Sequence, residues 1–156
     1  MLCYSITITA NREAAVTKTF PPHPVTAVLS GNDLLVFEVL RAANGPASAY
    51  DILDRLKPDR PRIAPTTVYR ALEHLIRAGR VRRIESLNAY LAATEAGDRA
   101  VVFAICDDCG RVQERDAGTE VGRITKALAR DGFRPTHPVV EVHGRCGDCD
   151  ATGGKP

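Results

Sequence analysis

Two short cysteine motifs constrain this chain more than anything else in it. Cys106-Asp-Asp-Cys109 and Cys146-Gly-Asp-Cys149 are each a C-x2-C pair, and thirty-six residues separate Cys109 from Cys146. Zn²⁺ takes four soft ligands at the corners of a tetrahedron, and two such pairs folded back on each other supply them. Gly110 follows the first pair and Gly147 sits within the second, where glycine lets backbone N–H groups turn toward thiolates. The spacing leaves two other readings open. Each pair could be a thioredoxin-like redox dithiol, or the cysteines could be buried and free. A redox pair sits between a strand and a helix, whereas Cys109 is followed by Gly110 and a strand pattern. Buried free cysteines do not usually come as matched pairs, so the spacing favours metal. Four thiolates close the coordination shell, so the expected ion is structural zinc, one per chain. Cys3 is a fifth cysteine outside the pattern.

The chain has 156 residues, one ordinary domain or two very small ones. Apolar residues make up 44% and charged residues 26%, which argues against disorder, a collagen-like repeat or a coiled coil. The longest apolar run, Ala100 to Cys106, has seven residues, whereas a membrane helix needs about 20. The first ten residues lack the basic stretch of a secretory signal. The expectation is a cytoplasmic protein with reduced thiols, no membrane partner and no small-molecule substrate. There is no nucleophile–base pair, phosphate loop or open metal site in the pattern, which argues against an enzyme.

Charge is distributed unevenly. Residues 55–83 hold nine Lys/Arg against Asp59 and Glu73, a net +7, while residues 98–156 come to −1. A basic block beside a near-neutral half is the footprint of a nucleic-acid reader joined to something else. The competing reading is a solvated helix face.

Apolar periodicity divides the chain further. Residues 1–32 read as an arm: 5–9 alternate like a strand, 11–18 could form two helical turns, and 21–24 form a breaker cluster. A first helix is expected over 33–43, capped by Asp33 and ended by Asn44-Gly45-Pro46. Ser48 caps a second helix with Ala49, Ile52, Leu53 and Leu56 on one face. A third starts at Pro65, buries Val68, Ala71, Leu72 and Leu75, and closes at Gly79. Strands at 81–84 and 89–92 flank a turn at 85–88. Three short helices and a hairpin make a winged helix-turn-helix domain over 33–93. A hinge is expected at 94–98, followed by a small α/β dimerisation domain over 99–150 and a tail over 151–156. That second unit has strands at 100–106, 112–114 and 139–143, and a helix over 119–130 with Val121, Ile124, Leu128 and Ala129 inward. The fold class is α+β. A unit of about fifty residues is too small to bury a generous core alone, so it needs a staple or a second subunit.

The third helix carries the reading chemistry. Thr66 and Thr67 lie at its N-terminus, where N–H groups suit a phosphate. Arg70 can fork onto guanine, and Tyr69 can pack on a thymine methyl. Arg77, Arg82 and Arg83 would then hold the DNA backbone without reading sequence.

Further segments carry a resemblance. Thr67-Val-Tyr-Arg-Ala-Leu72, Arg83-Ile-Glu-Ser-Leu-Asn-Ala-Tyr90 and Ile105-Cys-Asp-Asp-Cys-Gly110 occur in this order, followed by Gly132-Phe133, Val139-Val-Glu-Val142 and Gly144-Arg-Cys146. Over about residues 31–150 the chain resembles the ferric uptake regulator superfamily, most of all its zinc uptake regulator branch. The resemblance implies a homodimeric repressor with its winged helix on a palindromic double-stranded DNA operator. It implies zinc on Cys106, Cys109, Cys146 and Cys149 in the dimerisation domain, and Tyr69 and Arg70 as readers. It also implies a second, sensing metal near the hinge, where the branch typically has three His or Cys ligands and a Glu. The matching positions hold Arg82, Ala93, Arg99 and Glu114. The sensing site is therefore expected to be incomplete, with Glu114, His137 and His143 as the remaining candidates and a second metal undecided. Arg82 and Arg99 raise the alternative that fixed positive charge replaces a cation. The rival function is a zinc-stapled interaction or RNA-binding module without operator specificity.

Overall fold

A computed structural model describes residues 29–43, 45–97, 99–136 and 138–151. The strand, helical turns and breaker expected before residue 29 lie outside the described residues, as do Cys3, His137 and the tail from residue 152.

Three helices come first. Helix α1 spans Gly31–Ala42, α2 Ala49–Leu56 and α3 Pro65–Arg77. The cap of α1 is Ser30, not Asp33. The Ser30 side chain accepts the Asp33 N–H, and the Asp33 carboxylate accepts the Ser30 N–H at 2.7 Å. Two orphan donors at the helix start are thus satisfied reciprocally, and Asp33 falls at the third helical position. Ser48 and Asp51 repeat the device at the start of α2. Helix α3 opens on Pro65 with no side-chain cap, so its first N–H groups are not taken up by a capping side chain.

The apolar stripes of the three helices meet in one core of Val36, Leu40, Ile52, Leu53, Val68, Leu72 and Leu75. Each such fully buried side chain contributes about 1.5–3 kcal/mol. Asp33, the one buried charged residue among those described, lies 3.0 Å from His74 Nδ1 and pins α1 to α3. Strands β1 (Val81–Ile84) and β2 (Ala89–Ala92) form the antiparallel wing, with Val81 opposite Ala92 and Ile84 opposite Ala89. Ala47 and Tyr90 exchange both backbone hydrogen bonds, so the loop before α2 is stitched to the wing.

The second unit is a three-stranded sheet in the order β4-β3-β5, from β3 (Val101–Cys106), β4 (Val112–Asp116) and β5 (Val140–Gly144). Strand β3 is antiparallel to β4 and parallel to β5. Helix α4 (Gly118–Arg130) connects β4 to β5, and a short α5 (Gly147–Ala151), absent from the sequence reading, carries the last cysteine. The inward stripe expected on α4 is corrected: Val121 alone is buried, while Ile124 is 53% and Leu128 39% exposed and Ala129 is also exposed. One small sheet cannot cover a helix of this length.

The two units meet at the wing. Ile84 is fully buried against Phe103 and Ile105 of β3, so the wing contributes to the sheet's core. The segment expected as a hinge crosses the turn after α3. Gly79 has φ +64, and a Cβ there would lie 2.6 Å from the Gly97 carbonyl oxygen. Gly79 therefore does more than end a helix: it admits the connecting backbone.

Burial alone would raise the Asp33 carboxyl, but the Ser30 N–H and then the His74 ring lower it below its ordinary value of 3.8. Its contribution to stability is thus complete above that value and is lost as pH falls through the depressed one. Asp33→Asn should cost about 1–3 kcal/mol at neutral pH and flatten the acid limb of denaturant-melting curves. A variant with the wild-type acid limb would contradict this assignment.

Candidate zinc centre and nucleic-acid interface

Strand order brings the cysteines together. Cys106 ends β3, and Gly144, its partner in register, ends the neighbouring parallel β5 two residues before Cys146. A tight turn returns Cys109, with the Gly110 N–H on the Cys106 carbonyl at 2.9 Å and Gly110 at φ +70. The ligand atoms of Cys106, Cys109, Cys146 and Cys149 all lie within 4.8 Å of one another. Cys109 and Cys146 sulfurs are 3.8 Å apart, the edge of a tetrahedron with Zn–S bonds of about 2.3 Å. Asp107 N–H to Gly144 carbonyl (2.8 Å), Arg145 to Asp108 (2.8 Å), and Arg111 to Asp148 tie the two knuckles together.

The cluster's protonation is uneven. The Cys146 N–H, 3.3 Å from the Cys106 sulfur, followed by the Cys109 N–H, brings the Cys106 thiol down to about 6. Hydrogen bonding to Cys146 and Cys109 pushes the Cys149 thiol up. Four thiolates this close repel one another, and a divalent cation converts that repulsion into ligation. The donor set fits a zinc ion.

On α3 the polar face is solvent-facing: Thr66, Arg70 and Arg77 are exposed, Thr67 is half-buried, and Tyr69 is 41% exposed. An exposed tyrosine among cations is an expensive way to make a solubility face. Not all of the basic block shares that freedom. Arg80 stacks 4.9 Å from the centre of the Phe37 ring, and Lys57 pairs with Asp54. Arg83 reaches Glu85 at 3.1 Å and stays half exposed.

Arg82 departs from the sequence reading. Its side chain is only 14% exposed and its Nε lies 3.4 Å from Glu114 Oε1, so it faces β4 and is not presented to a DNA backbone. Glu114 in turn accepts the Thr94 N–H on Oε2 at 3.0 Å. His143 bridges Ser86 Oγ (3.1 Å) and Asp107 Oδ1 (2.9 Å). Among the described residues, the four cysteines are the only group of three or more potential metal ligands; Glu114 and His143 are not gathered into another.

One contact had no visible signal in the sequence. The Glu141 carboxylate of β5 accepts the N–H groups of Glu85 (2.6 Å) and Ser86 (3.0 Å) in the wing turn. Burial would raise this carboxyl, but the Ser86 side chain first, and then the Glu85 and Ser86 N–H groups, lower it. The pairing exists only once the two units dock.

A winged helix joined to a sheet with a four-thiol centre is the architecture of a metal-binding DNA-binding regulator. Residues 32–143 match the model of the Ferric uptake regulator family, and the chain belongs to that family. Within it, the zinc uptake regulator branch is the better match. The chain is 36% identical over 123 residues to the zinc uptake regulation protein of Escherichia coli (strain K12), covering 78% of this chain and 72% of that one. It is 30% identical over 145 residues to the ferric uptake regulation protein of the same organism, covering 90% of each. A solved zinc uptake regulator complexed with zinc and DNA superimposes with a TM-score of 0.75 at 35% identity, over 80% of this chain and 85% of that one. Proteins of this family are transcription regulators and not enzymes.

If the thiols share one ion, stripping it should melt the sheet, because metal binding free energy is then folding free energy. Chelation should lower the melting temperature of the wild type sharply, and Cys106→Ser should melt low with or without chelator. A wild type indifferent to both would refute the centre.

Proposed function

We propose that this chain is a cytoplasmic, homodimeric repressor that reads a palindromic DNA operator through α3 and is stapled by one structural zinc per chain on Cys106, Cys109, Cys146 and Cys149. In this reading residues 33–93 are the reading domain, 94–98 the hinge and 99–150 the dimerisation domain. The observation that carries it is the exposed face of α3, where Tyr69 and Arg70 stand clear of a fully packed core. The kinship with a regulator solved on DNA supports it. The uncapped start of α3, with Thr66 and Thr67, suits a phosphate, and Arg77 and Arg83 add backbone-holding charge. When bound, zinc neutralises the thiolates and holds the two knuckles; the chain's own residues do the reading. No described helix is long and apolar enough to cross a membrane.

The dimer reading rests on uncovered apolar surface. Ile124 and Leu128 on α4, Val142 on β5, and Phe133 and Val139 before it are all exposed, Phe133 by 61%. Among the described strands, β5 is also an edge, paired with β3 on one side. A second copy placed there would bury the stripe and pair the edge, and the two reading helices would then address two half-sites. The classical sensing site is incomplete, with Glu114 its one surviving ligand.

Arg70→Ala should weaken operator binding by about 1–3 kcal/mol and relax selectivity at one base pair per half-site. Fluorescence anisotropy on a set of single-base operator variants reads both. Equal losses on every sequence would favour a nucleic-acid binder without operator specificity. Ile124→Glu combined with Val142→Asp should convert the dimer to monomer in sedimentation velocity while zinc content holds. A variant that still sediments as a dimer would place the interface elsewhere.

A further inference from the structure

The junction between wing and sheet carries a device that the function above does not require. Arg82 leaves β1 and Glu114 leaves β4, and their side chains meet at 3.4 Å with 14% and 8% exposure. Each then grips the connecting segment. Arg82 Nη2 donates to the Gly97 carbonyl at 2.8 Å, and Glu114 Oε2 accepts the Thr94 N–H at 3.0 Å. One largely buried ion pair thus touches the wing, the sheet and both ends of the segment between them.

This arrangement does not fit a metal ion. Glu114 Oε2 takes the Thr94 N–H, and Oε1 faces at ion-pair distance a guanidinium that cannot be deprotonated in proteins and whose Nε is buried with no hydrogen-bond partner. Ala93 offers no donor atom. Arg99 is solvent-exposed and pairs with Glu95 (2.7 Å) and Asp116 (3.7 Å), so it takes no part in the buried pair. Of the two arginines at this place, only Arg82 occupies the position of a counter-ion to Glu114.

We infer that Arg82 and Glu114 form a built-in clasp that fixes the angle between the reading domain and the sheet, so that operator binding requires no metal beyond the four-cysteine centre. The inference rests on the operator-reading function proposed above. Arg82 and Glu114 are positioning residues in this account and touch no DNA. Burial supplies the stiffness. Removing either charge leaves the other uncompensated in a desolvated place, where an unpaired ion is costly. A second hold lies further along the wing, where Glu141 takes the Glu85 and Ser86 N–H groups and His143 meets Ser86. With the wing held at its base and its turn, the orientation of α3 follows, because Val81 shares the core of α3.

The direction of one substitution separates positioning from simple electrostatics. Glu114→Gln removes a negative charge from a DNA-binding protein, and charge alone would then strengthen binding. The clasp predicts the opposite. Gln is nearly isosteric, so the fold should survive while the charge that holds Arg82 and the Thr94 amide is lost; Arg82→Met serves as the second variant. Full-length, zinc-loaded dimers would be titrated onto duplexes selected by the wild type from a random library. Both variants should bind at least about tenfold more weakly at unchanged zinc content. Hydrogen exchange without DNA should rise at the Thr94 amide in both variants.

Wild-type affinity should stay within about twofold under strong chelation that leaves one zinc per chain. Binding restored only by a second metal per chain would overturn the inference, as would variants with wild-type affinity and exchange. If the wild type selects no sequence at all, the operator reading fails, and the exchange measurement still decides the clasp: faster exchange in the variants supports it and unchanged exchange overturns it.

Discussion

The gathering of four sulfurs at one corner of the sheet is the constraint on which the rest of the molecule depends. Their ligand atoms crowd within 4.8 Å at the ends of β3 and β5, on the tight turn after β3 and on a five-residue helix. Without a cation, only hydrogen bonds among those sulfurs and the backbone help to hold the parallel pairing of two strands that are thirty-four residues apart in the chain from Cys106 to Val140. With one, the cluster becomes the strongest long-range tie in a sheet whose own core is little more than Ile84, Phe103 and Ile105. Since Ile84 belongs to the wing, stapling the sheet also seats the reading domain.

The two halves solve the problem of small size differently. The helical half closes around aliphatic side chains and needs nothing else, with reciprocal serine–aspartate caps at two of its three helix starts. The sheet half leaves Ile124, Leu128, Phe133 and Val142 uncovered; in the proposed reading an ion within and a second copy outside complete it. Between them, the apolar contact of Ile84 with Phe103 and Ile105 is flanked by polar ones, Arg82 with Glu114 and Glu141 with the wing turn. Polar junctions specify geometry more than they add stability, because each charge must find its one partner.

Local pattern made most of this legible in the sequence. The wing strands at 81–84 and 89–92, the stripe of α3 and the facing cysteine pairs all announce themselves through short-range spacing. Asp33 was misplaced because a cap and a third-position acid look alike when both precede an apolar run; only the Ser30 hydrogen bonds decide. The α4 stripe reads as inward in the sequence because periodicity shows that a face is apolar and not what covers it. Arg82 lies in a basic block, and that block alone points it to DNA. Its partner is thirty-two residues away in β4, and no local pattern announces such a pair. Glu141 escaped for the same reason. The sensing site is the reverse case: the proposal that it is incomplete rests on ligand types, which are visible without any structure.

Native mass spectrometry of the intact protein tests the central claim most directly. The account predicts a dimer carrying one zinc per chain, with that zinc retained until the fold is lost. A metal-free chain that is fully folded, with its sheet intact, would contradict it.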